Sequence, residues 1–307
     1  MRHLCSLLDL NRDELAHLVR RGIELKADRG RPGHSALLAG RILGLVFEKP
    51  SMRTRVSFEA AIGHCGGSAV FMTQRELGLG ERESVKDFAR VASQYLDVLA
   101  ARTFSHERIL ELAMYSSCPV INALSDREHP CQILADLCTI AQEFGTLAGK
   151  RIVFVGDGNN VALSLAHAAV LSDIEFVLSA PEGFGFRDEV LKECFDVNPQ
   201  AKIILEPNPQ KAVTGAHVVY TDVWASMGQE SEADERRKYF LAYQVDARLM
   251  KQARSDARFM HCLPAHRGDE VTDEVIDSPA SLIVEQAGYR LHAQKALILW
   301  LLGIDKS

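Results

Sequence analysis

The sequence lacks an excess of positive charge. Its 35 Lys and Arg residues are outnumbered by 41 Asp and Glu residues, so the formal net charge of the 307-residue chain is −6. A chain with this balance offers no general cationic field to a nucleic-acid backbone, although a local basic pocket for a small anion is still allowed. We therefore expect no nucleic-acid partner.

Long apolar runs, leader segments and paired cysteine motifs are also missing. No apolar stretch reaches the length needed to cross a membrane, and Met1–Asp9 has neither a cleavable apolar segment nor an Arg-rich transit segment. The seven cysteines are an odd number without CxxC spacing, which favours reduced thiols over a disulfide framework or a metal site. These absences predict a cytoplasmic protein without membrane association.

What the sequence does contain is an alternation of short apolar runs with helical patterns, which is typical of parallel strands joined by crossover helices. With 47% hydrophobic residues the chain can bury a full core, and its length suits two domains of ordinary size. The predicted strands lie at residues 41–47, 68–72, 97–101, 119–123, 151–155, 174–179, 202–205, 217–221 and 258–261.

Four predicted strands precede residue 130 and five follow it, which divides the chain into two halves. An apolar helical segment, Ile133–Phe144, crosses between the halves and is followed by a turn at Gly145–Lys150. A last helix, Tyr289–Leu302, packs on one of the halves. We predict an α/β fold of two doubly wound parallel-sheet domains joined by crossover helices.

In open α/β sheets, ligands bind beyond the carboxyl ends of the strands. The loop after the first predicted strand enters a helix at about Ser51 and carries Arg53, Thr54 and Arg55. Hydroxyls, guanidinium groups and the N–H groups of a helix start together suit a phosphate-like dianion. The alternative is an ordinary Ser cap beside solvated arginines, and the loop alone does not decide between these interpretations.

Other strand ends carry further polar groups. Arg102 follows the third predicted strand and would add a cation, although a single Arg there is also typical of a surface. His129 and Gln132 lie three residues apart where Pro130 begins the crossover helix, so they share one face. This His is either a ligand-binding group or the cap of a long helix.

Two strand ends in the second half bring an acid and a thiol. Asp222 follows the strand at 217–221, and His261 and Cys262 lie at the end of the strand at 258–261. A Cys nucleophile would need a base with its own orienting group, and the sequence shows no such set. A buried structural Cys remains the alternative.

The turn Gly156-Asp157-Gly158 after the strand at 151–155 resembles the start of a dinucleotide-binding loop. The third glycine of GxGxxG is missing, because Asn159, Asn160 and Val161 follow, and no acidic residue is placed for a ribose. The pattern therefore disfavours a nucleotide-dependent dehydrogenase.

Taken together, Ser51-x-Arg53-Thr54-Arg55 and His129-Pro130-x-Gln132 resemble the carbamoyl phosphate signature of the aspartate and ornithine carbamoyltransferase family. The resemblance runs from Ser6–Leu10 to the helix that carries Arg290. It implies transfer of the carbamoyl group of carbamoyl phosphate to the δ-amine of ornithine, giving citrulline and phosphate in arginine metabolism. No metal or organic cofactor is implied.

Two segments favour the ornithine branch of this family. The aspartate branch has Pro-Leu-Pro where this chain has Cys262-Leu263-Pro264, and the stretch from Asp222 to Ser226-Met227-Gly228 is similar to the ornithine branch. Acetylornithine and succinylornithine enzymes look similar around the phosphate but lack that loop, and they remain the nearest alternatives. A catalytically inactive binding protein would be expected to have lost residues that are all present here.

The resemblance also implies domains and residue roles. A carbamoyl-phosphate-binding domain would span residues 1–130, completed by a C-terminal helix at about 286–307, and an ornithine-binding domain would span 145–285. Carbamoyl phosphate would be held by Ser51, Met52, Arg53, Thr54, Arg102, His129, Gln132, Cys262, Leu263 and Arg290, and ornithine by Asn160, Asp222, Ser226 and Met227, with Arg102, His129, Asp222 and Cys262 acting in catalysis.

The family assembles as trimers, which implies a homotrimer or a multiple of trimers here. This chain departs from the family at two positions. Met52 stands where the ornithine branch usually has Thr, at a contact made through a backbone N–H. Gly78 stands where a neighbouring subunit usually lends a Gln to the phosphate, and either Gln74 or Arg82 could replace that contact.

Overall fold

A computed structural model describes residues 1–29, 36–225 and 232–305. The chain forms two compact units, and each is described by itself. Unit 1 contains Met1–Cys138 and the chain from Gly288 onward, and unit 2 contains Thr139–Ala287. Among the described helices, none is long and apolar enough to span a membrane.

Each unit is built around one parallel sheet. The sheet of unit 1 has the strand order β2-β1-β3-β4, and the sheet of unit 2 has the order β7-β6-β5-β8-β9. The strands are Ile42–Phe47 (β1), Ser68–Thr73 (β2), Val98–Arg102 (β3), Val120–Leu124 (β4), Arg151–Val155 (β5), Glu175–Ser179 (β6), Lys202–Leu205 (β7), Val218–Thr221 (β8) and Arg258–His261 (β9).

Helices connect successive strands, as parallel pairing requires. The described helices are Arg12–Ala27 (α1), Met52–Gly63 (α2), Gln74–Leu77 (α3), Val85–Ala92 (α4), His106–Tyr115 (α5), Pro130–Phe144 (α6), Asn160–Leu171 (α7), Asp188–Val197 (α8), Pro209–Ala212 (α9), Ala233–Phe240 (α10), Ala247–Met250 (α11), Asp273–Ile276 (α12) and Ile283–Leu301 (α13). The predicted α/β fold with two doubly wound parallel sheets is confirmed.

The central strands are apolar because both of their faces are buried. Every residue of β3 and of β8 is buried, whereas the edge strands β2 and β7 have only exposed and partly buried positions. Continuous apolar runs are the sequence signature of strands covered on both faces. All nine predicted strands are present, with each boundary within one residue of the prediction.

Strand order reverses at one point in each sheet. In unit 1 the chain goes from β1 outward to β2 and then returns to the other side of β1 as β3. In unit 2 it goes from β5 outward to β7 and then returns to the other side of β5 as β8. Ligands of open α/β sheets bind at the carboxyl ends of the strands that flank such a reversal. We therefore expect ligand-binding residues in the loops after β1, β3, β5 and β8.

Three sequence expectations need adjustment. The last helix begins at Ile283 rather than Tyr289, so it is six residues longer at its start. The crossover helix α6 begins at Pro130, a residue suited to a first turn because its missing N–H has no intrahelical partner to lose. Arg102 does not follow β3 but ends it, and the pairing with β4 shifts register between Ala101 and Arg102.

Candidate active-site residues in the two units

The start of α2 in unit 1 has the features expected of an anion site. Ser51 is the N-cap, and its Oγ accepts a hydrogen bond from the Thr54 backbone N–H at 3.3 Å and donates to Thr54 Oγ1 at 3.0 Å. The first amides of a helix have no intrahelical acceptor and carry the positive end of the helix dipole. Met52 is 69% exposed, so the group it can offer to an anion is its backbone N–H.

A buried hydrogen-bond network extends from this cap to α6 and α13. Thr54 Oγ1 accepts from Arg290 Nη2 at 3.3 Å, and Arg290 Nη1 donates to Gln132 Oε1 at 2.7 Å. Gln132 Nε2 in turn donates to Asp136 Oδ1 at 2.8 Å. The structure therefore brings together four predicted site residues that are separated by up to 239 positions in the sequence, Ser51, Thr54, Gln132 and Arg290.

Arg102 and His129 belong to the same electrostatic environment. Both are almost fully buried, with 6% and 5% of their surface exposed. Burial holds the pKa of His129 well below its ordinary value, and the guanidinium groups of Arg290 and Arg102 lower that pKa further. The imidazole is therefore neutral at physiological pH, and the fixed positive charge around it comes from arginine. Two guanidinium groups near a neutral donor suit a dianionic ligand.

Arg53 lies in the first turn of α2 and is partly buried. Its neighbour Arg55 points to other partners: Arg55 Nε donates to Glu59 Oε1 at 2.9 Å, and its guanidinium lies 3.9 Å from the centre of the Phe71 ring. The two arginines of the sequence motif are therefore in different settings, and only Arg53 remains a candidate ligand of the site.

The loop that follows β2 is held by its own side chains. Gln74 Nε2 donates to the Leu79 carbonyl at 3.0 Å, and Arg82 Nη2 donates to the Glu76 carbonyl at 2.9 Å. Gly78 has a φ of +59°, a left-handed conformation that glycine adopts without strain. A turn of this kind accounts for the glycine at this position. Gln74 and Arg82, the two residues predicted to replace the family's Gln, both form hydrogen bonds within their own loop.

In unit 2, Asp222 lies just beyond β8 and receives two hydrogen bonds. Cys262 Sγ donates to Asp222 Oδ1 at 3.0 Å, and Asn159 Nδ2 donates to Asp222 Oδ2 at 2.9 Å. Asp222 is 7% exposed, and a buried carboxylate of this kind needs such donors. The predicted pair Asp222 and Cys262 is therefore in direct contact.

Asn159 was missed by the sequence reasoning, which singled out Asn160. Asn159 is the N-cap of α7, where its Oδ1 accepts from the N–H groups of Val161 and Ala162 at 3.0 and 3.1 Å. Asn160 is the first residue of that helix and is partly buried. An Asn between a Gly-rich turn and an apolar helix is the usual signal for a cap, and it could have identified Asn159.

Arg236 and Asp157 form a second missed pair. Arg236 donates from Nη2 to Asp157 Oδ2 and from Nε to the Trp224 carbonyl at 2.5 Å. Burial raises the pKa of Asp157, the Arg236 guanidinium acts in the opposite direction, and the nearby Asp222 carboxylate raises the pKa further. Arg236 therefore balances the charge next to Asp222. The predicted ligands Ser226 and Met227 lie outside the described residues.

Among the described residues, one group of possible metal ligands occurs, formed by Asp222, His261 and Cys262 with their ligand atoms within 4.8 Å of one another. The Leu263 N–H donates to His261 Nδ1 at 2.8 Å, and His261 Nε2 lies 3.2 Å from Glu270 Oε1. A backbone N–H can only donate, so Nδ1 is the acceptor and Nε2 carries the proton. The ring's lone pair is thus already used, which makes it a poor metal ligand.

Comparison with known proteins gives consistent matches over nearly the whole chain. The carbamoyl-P binding domain of the aspartate/ornithine carbamoyltransferase family matches residues 2–142, and its Asp/Orn binding domain matches residues 148–301. The second match extends into the chain that belongs to unit 1 from Gly288 onward. In that part of the chain, Arg290 contacts Thr54 and Gln132 of unit 1.

Individual relatives are similar over nearly their full length. The chain is 46% identical to an ornithine carbamoyltransferase of Anoxybacillus flavithermus over 299 residues, which are 97% of this chain and 95% of that protein. The solved ornithine carbamoyltransferase of Pyrococcus furiosus is 46% identical with a TM-score of 0.94 and coverage of 99% and 98%. The solved anabolic enzyme of Campylobacter jejuni is 37% identical with a TM-score of 0.93 and coverage of 99% and 100%.

The depressed pKa of His129 predicts a pH dependence of stability. Unfolding returns the imidazole to a pKa of about 6.5, so below that pH the unfolded chain binds a proton that the folded chain does not. The resulting stabilisation is complete above about pH 7 and is lost as pH falls towards the folded pKa, at up to about 1.4 kcal/mol per pH unit. The free energy of unfolding, measured with urea between pH 5 and 8, should rise less steeply with pH in His129→Gln than in wild type. The difference in slope should correspond to at most about one proton taken up on unfolding. Equal slopes would contradict the neutral assignment.

Proposed function

The chain belongs to the aspartate/ornithine carbamoyltransferase family, and from this premise we propose that it transfers the carbamoyl group of carbamoyl phosphate to the δ-amine of L-ornithine, giving L-citrulline and phosphate. The observation that carries the proposal is the network of unit 1, in which a chain of hydrogen bonds runs from Ser51 through Thr54 and Arg290 to Gln132. The anabolic role named for the Campylobacter jejuni structure supports a place in arginine biosynthesis.

Unit 1 is proposed to bind carbamoyl phosphate, completed by the part of α13 that carries Arg290. The hydroxyls of Ser51 and Thr54, the backbone N–H of Met52 and the guanidinium groups of Arg53 and Arg102 would hold the phosphate. Charge-assisted bonds from fixed donors are suited to a dianion, and the positive end of the α2 dipole adds to them. Met52 is compatible with this role because the contact needs only its backbone.

The carbamoyl group is assigned to His129, Gln132 and Arg290, together with the backbone of Cys262 and Leu263 from the family resemblance. A neutral imidazole can donate a hydrogen bond to the carbamoyl oxygen without competing for the phosphate charge. As the amine attacks, negative charge gathers on that oxygen, and donors fixed in advance stabilise it most in the transition state. Arg102 and His129 would contribute in this way.

Unit 2 is proposed to bind ornithine through Asn160, Asp222, Ser226 and Met227. Asp222 is suited to the substrate's α-ammonium group because its carboxylate is held in place by Asn159 and Cys262. The thiol of Cys262 donates to that carboxylate, and its proposed role is to orient the carboxylate and not to attack the substrate. This arrangement favours ornithine over acetylornithine or succinylornithine, whose α-nitrogen is an uncharged amide.

The chemistry needs no covalent enzyme intermediate. The neutral δ-amine attacks the carbonyl carbon, the new C–N bond forms, and the bond from that carbon to the phosphate oxygen breaks. The leaving phosphate can accept the proton that the amine loses. Because an alkylammonium has a pKa of about 10.4, only a small fraction of free ornithine is reactive at neutral pH.

An assay of acceptor choice tests the function. Release of phosphate from carbamoyl phosphate, which every acceptor would produce, should be fastest with ornithine in a panel that also contains acetylornithine, succinylornithine, putrescine and aspartate. The kcat/KM for ornithine should rise between pH 6 and 8 because the neutral amine becomes more abundant. Asp222→Asn should lower that kcat/KM by about 10- to 150-fold, equivalent to about 1.5–3 kcal/mol for a charged hydrogen bond, with little change in the KM for carbamoyl phosphate.

Asp246→Asn is the matched control for Asp222→Asn. Asp246 caps α11 by accepting from the N–H groups of Arg248 and Leu249, and an Asn can keep that cap. The control should leave the kinetics of both substrates unchanged. A preference for acetylornithine, or intact ornithine kinetics in Asp222→Asn, would exclude the acceptor assignment.

The phosphate site is tested by comparing two arginines of the same helix start. Arg53→Ala should lower kcat/KM for carbamoyl phosphate by at least about 100-fold, because it removes a charge-assisted contact with a dianion. Arg55→Ala should change it by no more than about threefold, because Arg55 is already paired with Glu59 and Phe71 and exposed pairs contribute little. Equal effects of the two substitutions would argue against the assigned role of Arg53.

We further propose a homotrimer, or a multiple of trimers, located in the cytoplasm. Exposed apolar side chains of unit 1, including Val56, Val70, Val91 and Tyr95, are consistent with a surface that another subunit covers.

The cytoplasmic location is supported by the cysteines. All seven cysteines are free thiols, which suits a reducing compartment. Sedimentation should give a mass of three chains or a multiple. A fully active monomer, or activity confined to a secreted or membrane fraction, would contradict this proposal.

A further inference from the structure

The turn after β9 is held from inside unit 2 by a buried imidazole. His261 is the last residue of β9, and its own N–H donates to Gln286 Oε1 at 3.0 Å. Its Nδ1 accepts from the Leu263 N–H at 2.8 Å, two residues further along. The ring thus bonds the backbone on the far side of Cys262, and the turn closes around that residue.

A buried carboxylate fixes the form of this ring. Glu270 is fully buried, and its Oε1 lies 3.2 Å from His261 Nε2 while also accepting from the His266 N–H at 2.5 Å. Because Glu270 needs a donor, the proton is held on Nε2 and the lone pair stays on Nδ1 for Leu263. The opposite tautomer would place two N–H groups against each other.

The backbone at Leu263 needs this support. Its φ is +59°, in the left-handed region that residues other than glycine enter only at an energetic cost. The bond from its N–H to Nδ1 helps to offset that cost. If it is lost, the backbone can relax, and the preceding Cys262 moves with it.

Cys262 connects this turn to Asp222, the carboxylate that is proposed to bind ornithine. Its Sγ donates to Asp222 Oδ1 at 3.0 Å, and a hydrogen bond of that length depends on where the turn places the thiol. We propose that His261, held in one tautomer by Glu270, is a positioning residue that aligns the Cys262 thiol on Asp222. Through that hydrogen bond it sets the orientation of the Asp222 carboxylate towards ornithine. The kinetic part of this proposal rests on the proposed function, whereas the alignment of the thiol does not.

The two amide replacements of His261 separate its two contacts. In His261→Asn the side-chain oxygen stands where Nδ1 stood, so the Leu263 N–H keeps an acceptor and the Glu270 contact is lost. In His261→Gln the amide reaches the position of Nε2, so the Glu270 contact is kept and Leu263 loses its acceptor. Both variants replace the same buried ring by an amide, which makes them controls for each other.

A chemical readout follows from cysteine exposure. Cys262 is the only partly exposed cysteine, and the other six are buried. Alkylation of the folded protein by iodoacetamide at pH 8 therefore reports on Cys262. A thiol that donates to a carboxylate is held in its unreactive form. We expect alkylation at least about tenfold faster in His261→Gln than in wild type, and within about threefold of wild type in His261→Asn.

The kinetic readout should follow the same order. The kcat/KM for ornithine should fall at least about tenfold in His261→Gln and no more than about threefold in His261→Asn, with the KM for carbamoyl phosphate unchanged in both. Equal alkylation rates in the two variants would overturn the proposal even if their stabilities differ. If the alkylation rates differ as expected but no citrulline is formed by wild type, the positioning role holds and the proposed function fails.

Discussion

The parallel pairing of every strand in both sheets is the constraint on which the rest of this structure depends. Parallel strands cannot be joined by tight turns, so each connection must cross the sheet as a helix and return to the starting edge. All carboxyl ends in a sheet therefore lie at one edge. Where the strand order reverses, two successive loops diverge and leave room for side chains to meet.

Both groups of candidate residues occupy such a reversal. Ser51 follows β1 and Arg102 ends β3 in unit 1, while Asn159 follows β5 and Asp222 follows β8 in unit 2. The chemistry of the two groups is opposite, because unit 1 presents guanidinium groups around a neutral imidazole and unit 2 presents a carboxylate with neutral donors. The same feature of the fold thus places side chains suited to an anion in one unit and a side chain suited to a cation in the other.

Sequence reasoning found what local patterns encode. Buried strands are continuous apolar runs, and the Ser51 cap precedes an obvious helix, so both were predictable. It missed the bond from Asn159 to Asp222 and the bond from Arg236 to Asp157 because these partners are 63 and 79 positions apart in the sequence. It could not see that Glu270 fixes the His261 ring, since nothing in the order of residues gives an imidazole's direction. The place of Arg102 inside β3 likewise depends on pairing with Phe47 of β1 and Leu124 of β4, which the order of residues does not show.

The two helix caps also set a limit on protein engineering. Ser, Asn and Asp are nearly equivalent as N-caps, and an acidic residue at a helix start is a standard choice for raising thermal stability. At position 51 an aspartate would face the dianion that α2 is proposed to bind. At position 159 it would lie beside Asp222 and would have no N–H to donate to it. Aspartate at either cap, chosen by helix-capping rules to stabilise the fold, would therefore give a well-folded protein with impaired substrate recognition.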